Sequence, residues 1–528
     1  MESRRRWWVL ATVSVGLLLI TVDMTVLYTA LPTLTEELGA DAAQKLWIIN
    51  AYPLVMAGLL LGAGTLGDRV GHKRMLLSGL AIFGAASSAA AFASSPTALV
   101  AARALLAVGA AAMMPATLSL VRTVFEDERE RGVAIGVWGS MSVCGTALGP
   151  IVGGVLLEHF WWGSVFLINV PVVAIALVAT LLLVPGGAPG ADRPWDPIAS
   201  AQAMAGLAAL VYAIKEGTRP DGPLLPVLAA LAVAAGAFTL FVRRQRVQRH
   251  PLLDFALLRD PRIVAGVTAA GLAMFATAGV QLLLTQRLQL VLGQTPLEAG
   301  LVVTAFAVGC LPAALLAGGL VYRVGPRPLI CGGLALGATG VALTLLLTPG
   351  VLPVLSVEPD RPVWVVPGLL VAGAGLGFAM TAASTAIMGN APAHRAGMAA
   401  SVEEVSYELG SLSGVAFLGS ALASVYTATV RLPDGAPDAA SDSLDAAHVE
   451  AAQLPEHSGA ALLDAAHTAF DHGYALTLAV ACLVLAAGTV LTHRLLAHRA
   501  SPESGGQVSD EAGQDERRPA GATEAERA

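Results

Sequence analysis

Residues 64–73 read GTLGDRVGHK, and residues 318–327 read GGLVYRVGPR. Glycine, leucine, arginine, valine and glycine recur in the two segments at one constant offset, from position 64 to position 318. The glycine pair of 145–149 recurs in a similar way at 410–414. Self-similarity over such a distance indicates a fold that is built from two related halves.

The chain around this repeat is apolar enough to fill a bilayer. Of its 528 residues, 55% are hydrophobic and only 13% are charged, which is unlike an ordinary soluble domain. Apolar runs of about 20 residues are long enough to cross a membrane as helices. Fourteen such runs lie near 8–31, 46–66, 75–94, 97–121, 132–156, 163–184, 197–215, 223–242, 263–286, 297–321, 328–348, 363–387, 398–426 and 473–496.

The repeat relates spans two to five to spans ten to thirteen in the same orientation. Two parallel halves of this kind are typical of transporters, with the substrate site between them near the midplane. We therefore predict an all-α integral membrane protein with two pseudo-symmetric six-helix bundles plus two inserted helices. The predicted parts are an N-terminal bundle (1–184), a linker with inserted helices seven and eight (185–242), a C-terminal bundle (243–498) with an outer loop (428–470), and a disordered tail (499–528).

Basic residues indicate the orientation, because loops on the cytoplasmic side are rich in Lys and Arg. With the N-terminus inside, nineteen Lys and Arg fall on the inner side, and six, including Arg287, fall in outer loops. Both termini are therefore expected in the cytoplasm. The outer loop of 428–470 is acidic. It either concentrates cations near an outer mouth or is simply a solvated loop, in which 440–453 and 459–470 form short surface helices.

Span 398–426 is otherwise apolar or small but carries Glu403, Glu404 and Glu408. An ionised carboxylate at membrane depth costs at least a few kcal/mol, so such residues are rare without a reason. Glu404 and Glu408 share a helix face because they are four residues apart. Either this face lines a water-filled cavity that handles protons or cations, or the first two glutamates lie in the headgroup zone. We expect Glu408, Glu404 and Asp23 to matter most, with Glu403 at the cytoplasmic rim.

A buried arginine without a partner would be very costly. Arg103 lies about 9 Å below the outer face of span four, and Asp23 lies about 12 Å below the same face of span one, at 1.5 Å per residue. We therefore predict that Asp23 is the partner of Arg103. The pair is either permanent or opens when Asp23 takes up a proton.

Several segments resemble signatures of the major facilitator superfamily. Gly64–Arg74 is similar to its loop motif, with His72 at a position that is usually basic. Arg103–Gly109 resembles its membrane-embedded arginine motif, and Gly145–Gly154 resembles its antiporter motif. Leu19–Pro32 resembles the first-span motif of the fourteen-helix drug:proton antiporters. The residues of these segments most resemble those of the quaternary-ammonium and multidrug exporters of that subfamily.

The resemblance implies a proton-coupled antiporter of the cell membrane that exports lipophilic or quaternary ammonium cations and other drugs by alternating access. The alternative is a dedicated exporter of a single antibiotic or endogenous metabolite. The expected partners are the cations, protons and the lipid bilayer, with no nucleic acid, no obligate protein partner, no metal and no cofactor beyond the proton motive force. A membrane enzyme is disfavoured because no HExxH, GxSxG or P-loop motif is present. A receptor or scaffold would not need acids in both bundles.

The residues that this implies fall into four groups. Proton coupling and cation binding are assigned to Asp23, Glu404, Glu408 and Glu403, with Arg103 as the coupling arginine. The inner gate motif comprises Gly64, Asp68, Arg69, Gly71, Lys73 and Arg74, and Asp68 is expected to pair with charges or helix ends on the side of span eleven. The antiporter motif comprises Gly145, Gly149, Pro150, Gly153 and Gly154, which serve close packing, gate movement or both. Candidates for lining a cavity are Tyr28, Asn50, Tyr52, Trp138, Phe275 and Tyr407.

Overall fold

The computed structural model describes residues 3–497 apart from 41, 187–195, 218–223, 249–254, 256, 349–361, 393–394 and 434–435. The predicted tail and residues 187–195, which precede the first inserted helix, lie outside these residues. The described residues are helical and contain no strands. The long helices are α1 (Ser3–Glu37), α2 (Ala42–Val70), α3 (His72–Ala91), α4 (Pro96–Val124), α5 (Glu128–His159), α6 (Ser164–Leu183), α7 (Pro197–Gly217), α8 (Leu224–Val247), α9 (Pro261–Gln286), α10 (Pro296–Val324), α11 (Pro326–Leu347), α12 (Val366–Asn390), α13 (Ala396–Thr429) and α14 (Glu456–Ala497).

The fourteen predicted spans coincide with these helices. Among the described residues, thirteen helices are long and apolar enough to cross a membrane as single segments. Helix α2 is the fourteenth, because it is bent by 54° between Trp47–Leu60 and Gly62–Val70. The prediction of an all-α membrane fold with fourteen spans is confirmed. The boundaries of the predicted parts stay a prediction.

The buried apolar side chains form two large clusters, one for each half of the repeat. One cluster is built from α1–α6 and the other mainly from α9–α14. The first cluster also takes in Ile263, Ile387 and Met398, which lie near one end of α9, α12 and α13. That end, at which α1 begins and α14 finishes, is called the terminal side here. The two halves are therefore packed together at the terminal side.

The inserted helices α7 and α8 form a hairpin beside the seam between the halves. Helix α7 packs on α2 and also contacts α13, whereas α8 packs on α7. Asp196 caps α7 by accepting from the backbone amides of Ile198 and Ala199, both at 3.1 Å. It also forms a two-pronged ion pair with Arg244 of α8, at 2.6 and 3.1 Å. Burial alone would raise the pKa of Asp196, but these hydrogen bonds outweigh it and lower the pKa below its usual value.

The predictions for the side opposite the termini need correction. The segment 459–470 is not a separate surface helix, because α14 already begins at Glu456. The other predicted surface helix is Leu444–Ala451, which packs on α14. Arg287 is not an exposed loop residue: it is 3% exposed and pairs with Asp471 of α14 at 2.8 Å.

Candidate functional site

A buried polar network lies inside the N-terminal half. Arg103 Nη1 of α4 donates to Asp23 Oδ2 of α1 at 3.1 Å, and the two residues are 2% and 0% exposed. Asn169 Nδ2 of α6 donates to the other oxygen of Asp23 at 2.8 Å and to Ser87 Oγ of α3 at 3.2 Å. Both carboxylate oxygens are therefore satisfied, and the charge of Arg103 is compensated as a buried cation requires.

Helix α2 completes this network. The carbonyl oxygen of Ile48 accepts from Arg103 Nε at 3.4 Å. One turn further along α2, the Tyr52 ring lies beneath the guanidinium group, 4.8 Å from its central carbon. The sequence placed Tyr52 among the cavity candidates, and the structure places it against Arg103.

Helix α13 presents a polar stripe to α2. Ser401 Oγ donates to the carbonyl oxygen of Leu60 at 2.8 Å, next to the bend in α2. Glu404 and Glu408 lie three and seven residues after Ser401, so all three share one helix face. Glu404 is buried, whereas Glu408 is half-buried and interacts electrostatically with Tyr52. The two glutamates therefore lie along the seam between the halves.

Glu403 points away from this stripe. Its Oε1 accepts from the Tyr407 hydroxyl at 2.7 Å, and Ser384 of α12 lies beside it. The expectation that Glu403 lies at the rim is wrong, because the residue is 0% exposed. The first turn of α13 packs against α2, which leaves the second turn and its glutamates inside the protein.

From the sequence, Asp68 of the gate motif was expected to pair on the side of span eleven. In the structure it contacts α13 instead. Asp68 Oδ1 accepts from the amide of Gly397 at 2.9 Å, and Oδ2 accepts from that of Met398 at 3.2 Å. These amides belong to the first turn of α13, where backbone donors have no partner within the helix and a negative charge is favoured. Asp68 of one half thus caps a helix of the other. Gly64 permits the approach, because a Cβ there would overlap the Gly397 carbonyl oxygen.

The other gate residues serve the N-terminal half itself. Lys73 Nζ donates to the carbonyl oxygens of Leu181 and Val184 at the end of α6, at 2.9 and 2.7 Å. Gly71 has a φ of 98°, a conformation that favours glycine, in the turn between α2 and α3. Arg69 and Arg74 are exposed.

An equivalent contact joins α5 and α10 at the terminal side. A Cβ on Gly318 would overlap the carbonyl oxygen of Gly132, which mirrors the contact of Gly64 with Gly397. Tyr322 takes the position of Asp68 and lies beside the backbone of Gly132. The two repeats therefore meet each other in the same way, with different side chains.

The glycines of the antiporter motif pack α5 on α1. A Cβ on Gly145 or Gly149 would overlap the side chain of Thr21 or Thr25, respectively. Gly153 is buried, Gly154 has open space around it, and the side chain of Pro150 lies outside the described residues.

The remaining cavity candidates are spread over both halves. The side chains of Tyr28 and Asn50 lie outside the described residues. Trp138 is buried in the N-terminal core and donates to Thr117 Oγ1 at 3.1 Å. Phe275 is half-buried in the C-terminal cluster. These two residues are packing residues here. Of the four candidates whose side chains are described, Tyr52 and Tyr407 adjoin the carboxylates.

Two residues of the site were assigned no role from the sequence. Asn169 holds Asp23, and its signal was a single amide in an apolar span. Ser401 joins α13 to the bend of α2, and its signal was its place on the same face as Glu404 and Glu408. Within the described part of the chain, His, Cys, Asp and Glu side chains form no group that could bind a metal ion.

Comparisons with known proteins agree with this architecture. A family model described as Major Facilitator Superfamily matches residues 13–282 and 263–430. The chain is 39% identical over 492 residues to "Multidrug efflux pump LfrA" of Mycolicibacterium smegmatis, covering 92% of this chain and 96% of that protein. It is equally similar to "Methyl viologen resistance protein SmvA" of Salmonella typhimurium, with 92% and 97% covered. It is 32% identical to "Tetracenomycin C resistance and export protein" of Streptomyces glaucescens, with 94% of each covered.

Solved structures show the same fold at low sequence identity. The human organic anion transporter MFSD10 superposes with a TM-score of 0.59 and 15% identity, over 92% of this chain and 100% of that one. The proton:xylose symporter XylE gives a TM-score of 0.56 and 13% identity, over 92% and 95%.

Proposed function

This chain belongs to the Major Facilitator Superfamily of membrane transporters, and we propose that it is a proton-coupled antiporter that exports lipophilic cations by alternating access. Relatives named for multidrug efflux and for methyl viologen resistance support this proposal. Methyl viologen is a dication, and a site for dications needs anionic side chains. We place the protein in the cell membrane with the terminal side in the cytoplasm.

The observation that carries the proposal is the pair of glutamates on α13. Glu404 and Glu408 face the seam between the halves, where alternating access exposes a site to each side in turn. Among the described residues, no group forms a hydrogen bond with Glu404 Oε1. A buried carboxylate is neutralised by a proton or by a cation, so the two compete for the same oxygens. Proton entry from outside then releases the cation, and proton loss to the cytoplasm readmits one.

Asp23 and Arg103 are the proposed coupling pair. A proton on Asp23 removes the charge that holds Arg103, and the guanidinium group must then find another partner or become hydrated. Since Arg103 also contacts α2 through Ile48 and Tyr52, such a change reaches the helix that carries Asp68. In this conformation Asp68 closes the cytoplasmic end of the seam.

The test uses ethidium efflux from energised membrane vesicles with an imposed pH gradient. Glu404→Gln and Glu408→Gln are expected to lower gradient-driven efflux about tenfold or more, since loss of one partner from a buried charge pair costs ~2–5 kcal/mol. Glu298→Gln is the matched control, because Glu298 is an exposed residue of a capping box on α10. Efflux by the unchanged protein that ignores the gradient would remove the antiport proposal. Full efflux by both glutamine variants would remove the site.

A dedicated exporter of one antibiotic or metabolite is the second candidate. The relative named for export of tetracenomycin C supports it. Competition of ethidium efflux by a panel of cations and neutral antibiotics separates the two candidates. Inhibition by many cations favours the first, and inhibition by one compound alone favours the second.

A further inference from the structure

Helix α2 contacts the Asp23–Arg103 pair and the first turn of α13 through different parts of its length. Before the bend, Ile48 and Tyr52 hold Arg103. After the bend, Asp68 caps α13, and the Leu60 carbonyl oxygen at the bend accepts from Ser401. A change at Arg103 therefore reaches α13 along α2, across the 54° bend at which Leu60 contacts Ser401.

Tyr52 lies where the charges of the two halves meet. The residue is 0% exposed, and its ring packs against Arg103. Asp23 and Arg103 lie on its N-terminal-half side. On the other side, α13 runs antiparallel to α2, since Gly397 contacts Asp68 and Ser401 contacts Leu60. Glu408, seven residues after Ser401, is therefore level with Tyr52, eight residues before Leu60. Glu404 lies one turn from Glu408 on the same face. Tyr52 thus lies between the Asp23–Arg103 pair and the two glutamates of α13 at the seam.

The hydroxyl group of Tyr52 forms no hydrogen bond with any described residue. Buried polar groups in proteins are nearly always paired, and an exception calls for an explanation. Alternating access offers one, since the seam that separates Tyr52 from Glu408 changes its width during the cycle. The hydroxyl group, which has no acceptor among the described residues in this conformation, is available to donate in a second one.

We propose that Tyr52 is a positioning residue that links the occupancy of Glu408 to the Asp23–Arg103 pair. Its ring holds the guanidinium group against Asp23, and its hydroxyl group donates to the Glu408 carboxylate when neither a proton nor a cation occupies that carboxylate. Binding of a cation takes this hydrogen-bond acceptor away, and the freed ring and α2 then shift relative to Arg103. The proposal rests on the proposed function and adds the residue that transmits the signal.

Tyr52→Phe is the direct test, because it keeps the ring over Arg103 and removes only the hydroxyl group. Tyr474→Phe is the matched control. Tyr474 is also a fully buried tyrosine under an arginine, with Arg287 at 5.6 Å and an aspartate, Asp471, paired to that arginine. It lies in the C-terminal half, away from the seam.

Two quantities separate coupling from folding. The first is the number of protons released per ethidium bound by the detergent-solubilised protein, measured with a pH indicator. The second is the dependence of ethidium efflux on an imposed pH gradient in proteoliposomes. Tyr52→Phe should release about half as many protons or fewer, with a flattened gradient dependence, while ethidium affinity at alkaline pH changes less than about threefold. Tyr474→Phe should match the unchanged protein in both.

The outcomes are distinguishable. If the unchanged protein and Tyr474→Phe show no gradient dependence, the proposed function fails. If both are coupled and Tyr52→Phe keeps the same proton release and gradient dependence, the role of Tyr52 is overturned. If Tyr52→Phe does not fold, the hydroxyl group is structural in this conformation, and the proposal is also overturned. A melting temperature equal to or above that of the unchanged protein, together with lost coupling, supports it.

Discussion

Two glycine contacts between the halves at the terminal side have equivalent positions in the repeat and are held differently. In each, a glycine of one half meets a glycine of the other: Gly64 with Gly397, and Gly318 with Gly132. Helix α5 caps itself, since Asp127 accepts from the amide of Glu130 at 2.9 Å. Helix α13 has no side-chain cap of its own and takes one from Asp68 of the other half.

This difference separates what the repeat provides from what divergence added. The repeat provides close backbone packing at both contacts. The α2–α13 contact is in addition polar: Ser401, Glu404 and Glu408 stand where the other copy has Gly136, Gly139 and Val143. Opening the α5–α10 contact separates packed surfaces. Opening the α2–α13 contact also uncaps a helix and moves charges, so this is the contact on which the proposed proton and cation coupling would act.

Substitution of the glycines at the two contacts is expected to have the largest effect, because a larger side chain pushes the two halves apart. The effect should be similar at both contacts, since they share one packing geometry. Gly64→Val and Gly318→Val each insert a side chain where even a Cβ overlaps a carbonyl oxygen. Overpacking typically costs about 1–3 kcal/mol, so each variant should hold the terminal side apart and lower efflux about tenfold. An ethidium efflux assay measures the loss of transport. Labelling of cysteines engineered at the terminal side, by a membrane-impermeant reagent, measures the separation of the halves. Gly154→Ala is the control, since a Cβ there has open space. A loss at only one contact would break the equivalence.

Removing the two caps should give unequal results. Asp68→Ala uncaps α13 across the seam, whereas Asp127→Ala uncaps α5 within its own half. Loss of a cap costs about 1–2 kcal/mol, which corresponds to roughly a five- to thirtyfold change in an equilibrium. Hydrogen exchange should accelerate by about this factor at Gly397 and Met398 in the first variant and at Glu130 in the second.

Only Asp68→Ala should also change efflux and shift the protein toward a conformation that is open at the terminal side. Equal effects of Asp68→Ala and Asp127→Ala on efflux would contradict the assignment of the polar contact as the responsive one.

The smallest effect is expected in the hairpin of α7 and α8, which packs beside the α2–α13 contact. Asp196→Asn removes the ion pair with Arg244 and should lower the free energy of unfolding by about 1–2 kcal/mol, seen as a lower melting temperature in detergent. The pKa of Asp196 in the folded protein lies below its usual value of about 3.9. The contribution of Asp196 to the free energy of unfolding is therefore fully present above about pH 3.9, the usual value. It is lost as the pH falls below that value, through the lower pKa of the folded state.

The melting difference between the unchanged protein and Asp196→Asn should accordingly stay constant from neutral pH to about pH 5 and shrink below about pH 4. Glu158→Gln, at an exposed residue of α5, is the control. A difference that grows on acidification would contradict the linkage.

The fold could be predicted because each span is a long apolar run and because the repeat fixes which spans correspond. The proximity of Asp23 and Arg103 followed from their similar depth, since a buried arginine needs a partner. The partner of Asp68 could not be deduced from the repeat, because matching segments do not tell which helices touch across the seam. A signal was nonetheless present: no Ser, Thr, Asp or Asn lies at residues 391–395, just before α13, whereas Asp127 precedes α5. The burial of Glu403 depends on how the first turn of α13 meets α2, which no local pattern encodes.

Helix α14 has a practical consequence for imaging. It is continuous for 42 residues, and residues 456–472 precede its predicted membrane span of 473–496. This part extends the span by about 25 Å on the side opposite the termini, at 1.5 Å per residue. The pair of Arg287 with Asp471 anchors this projection, and the helix Leu444–Ala451 packs along it. A nanobody raised against the projection would give a small, micelle-embedded particle a rigid alignment marker. Because the epitope lies away from the seam, every state of the cycle could be recorded with the same marker.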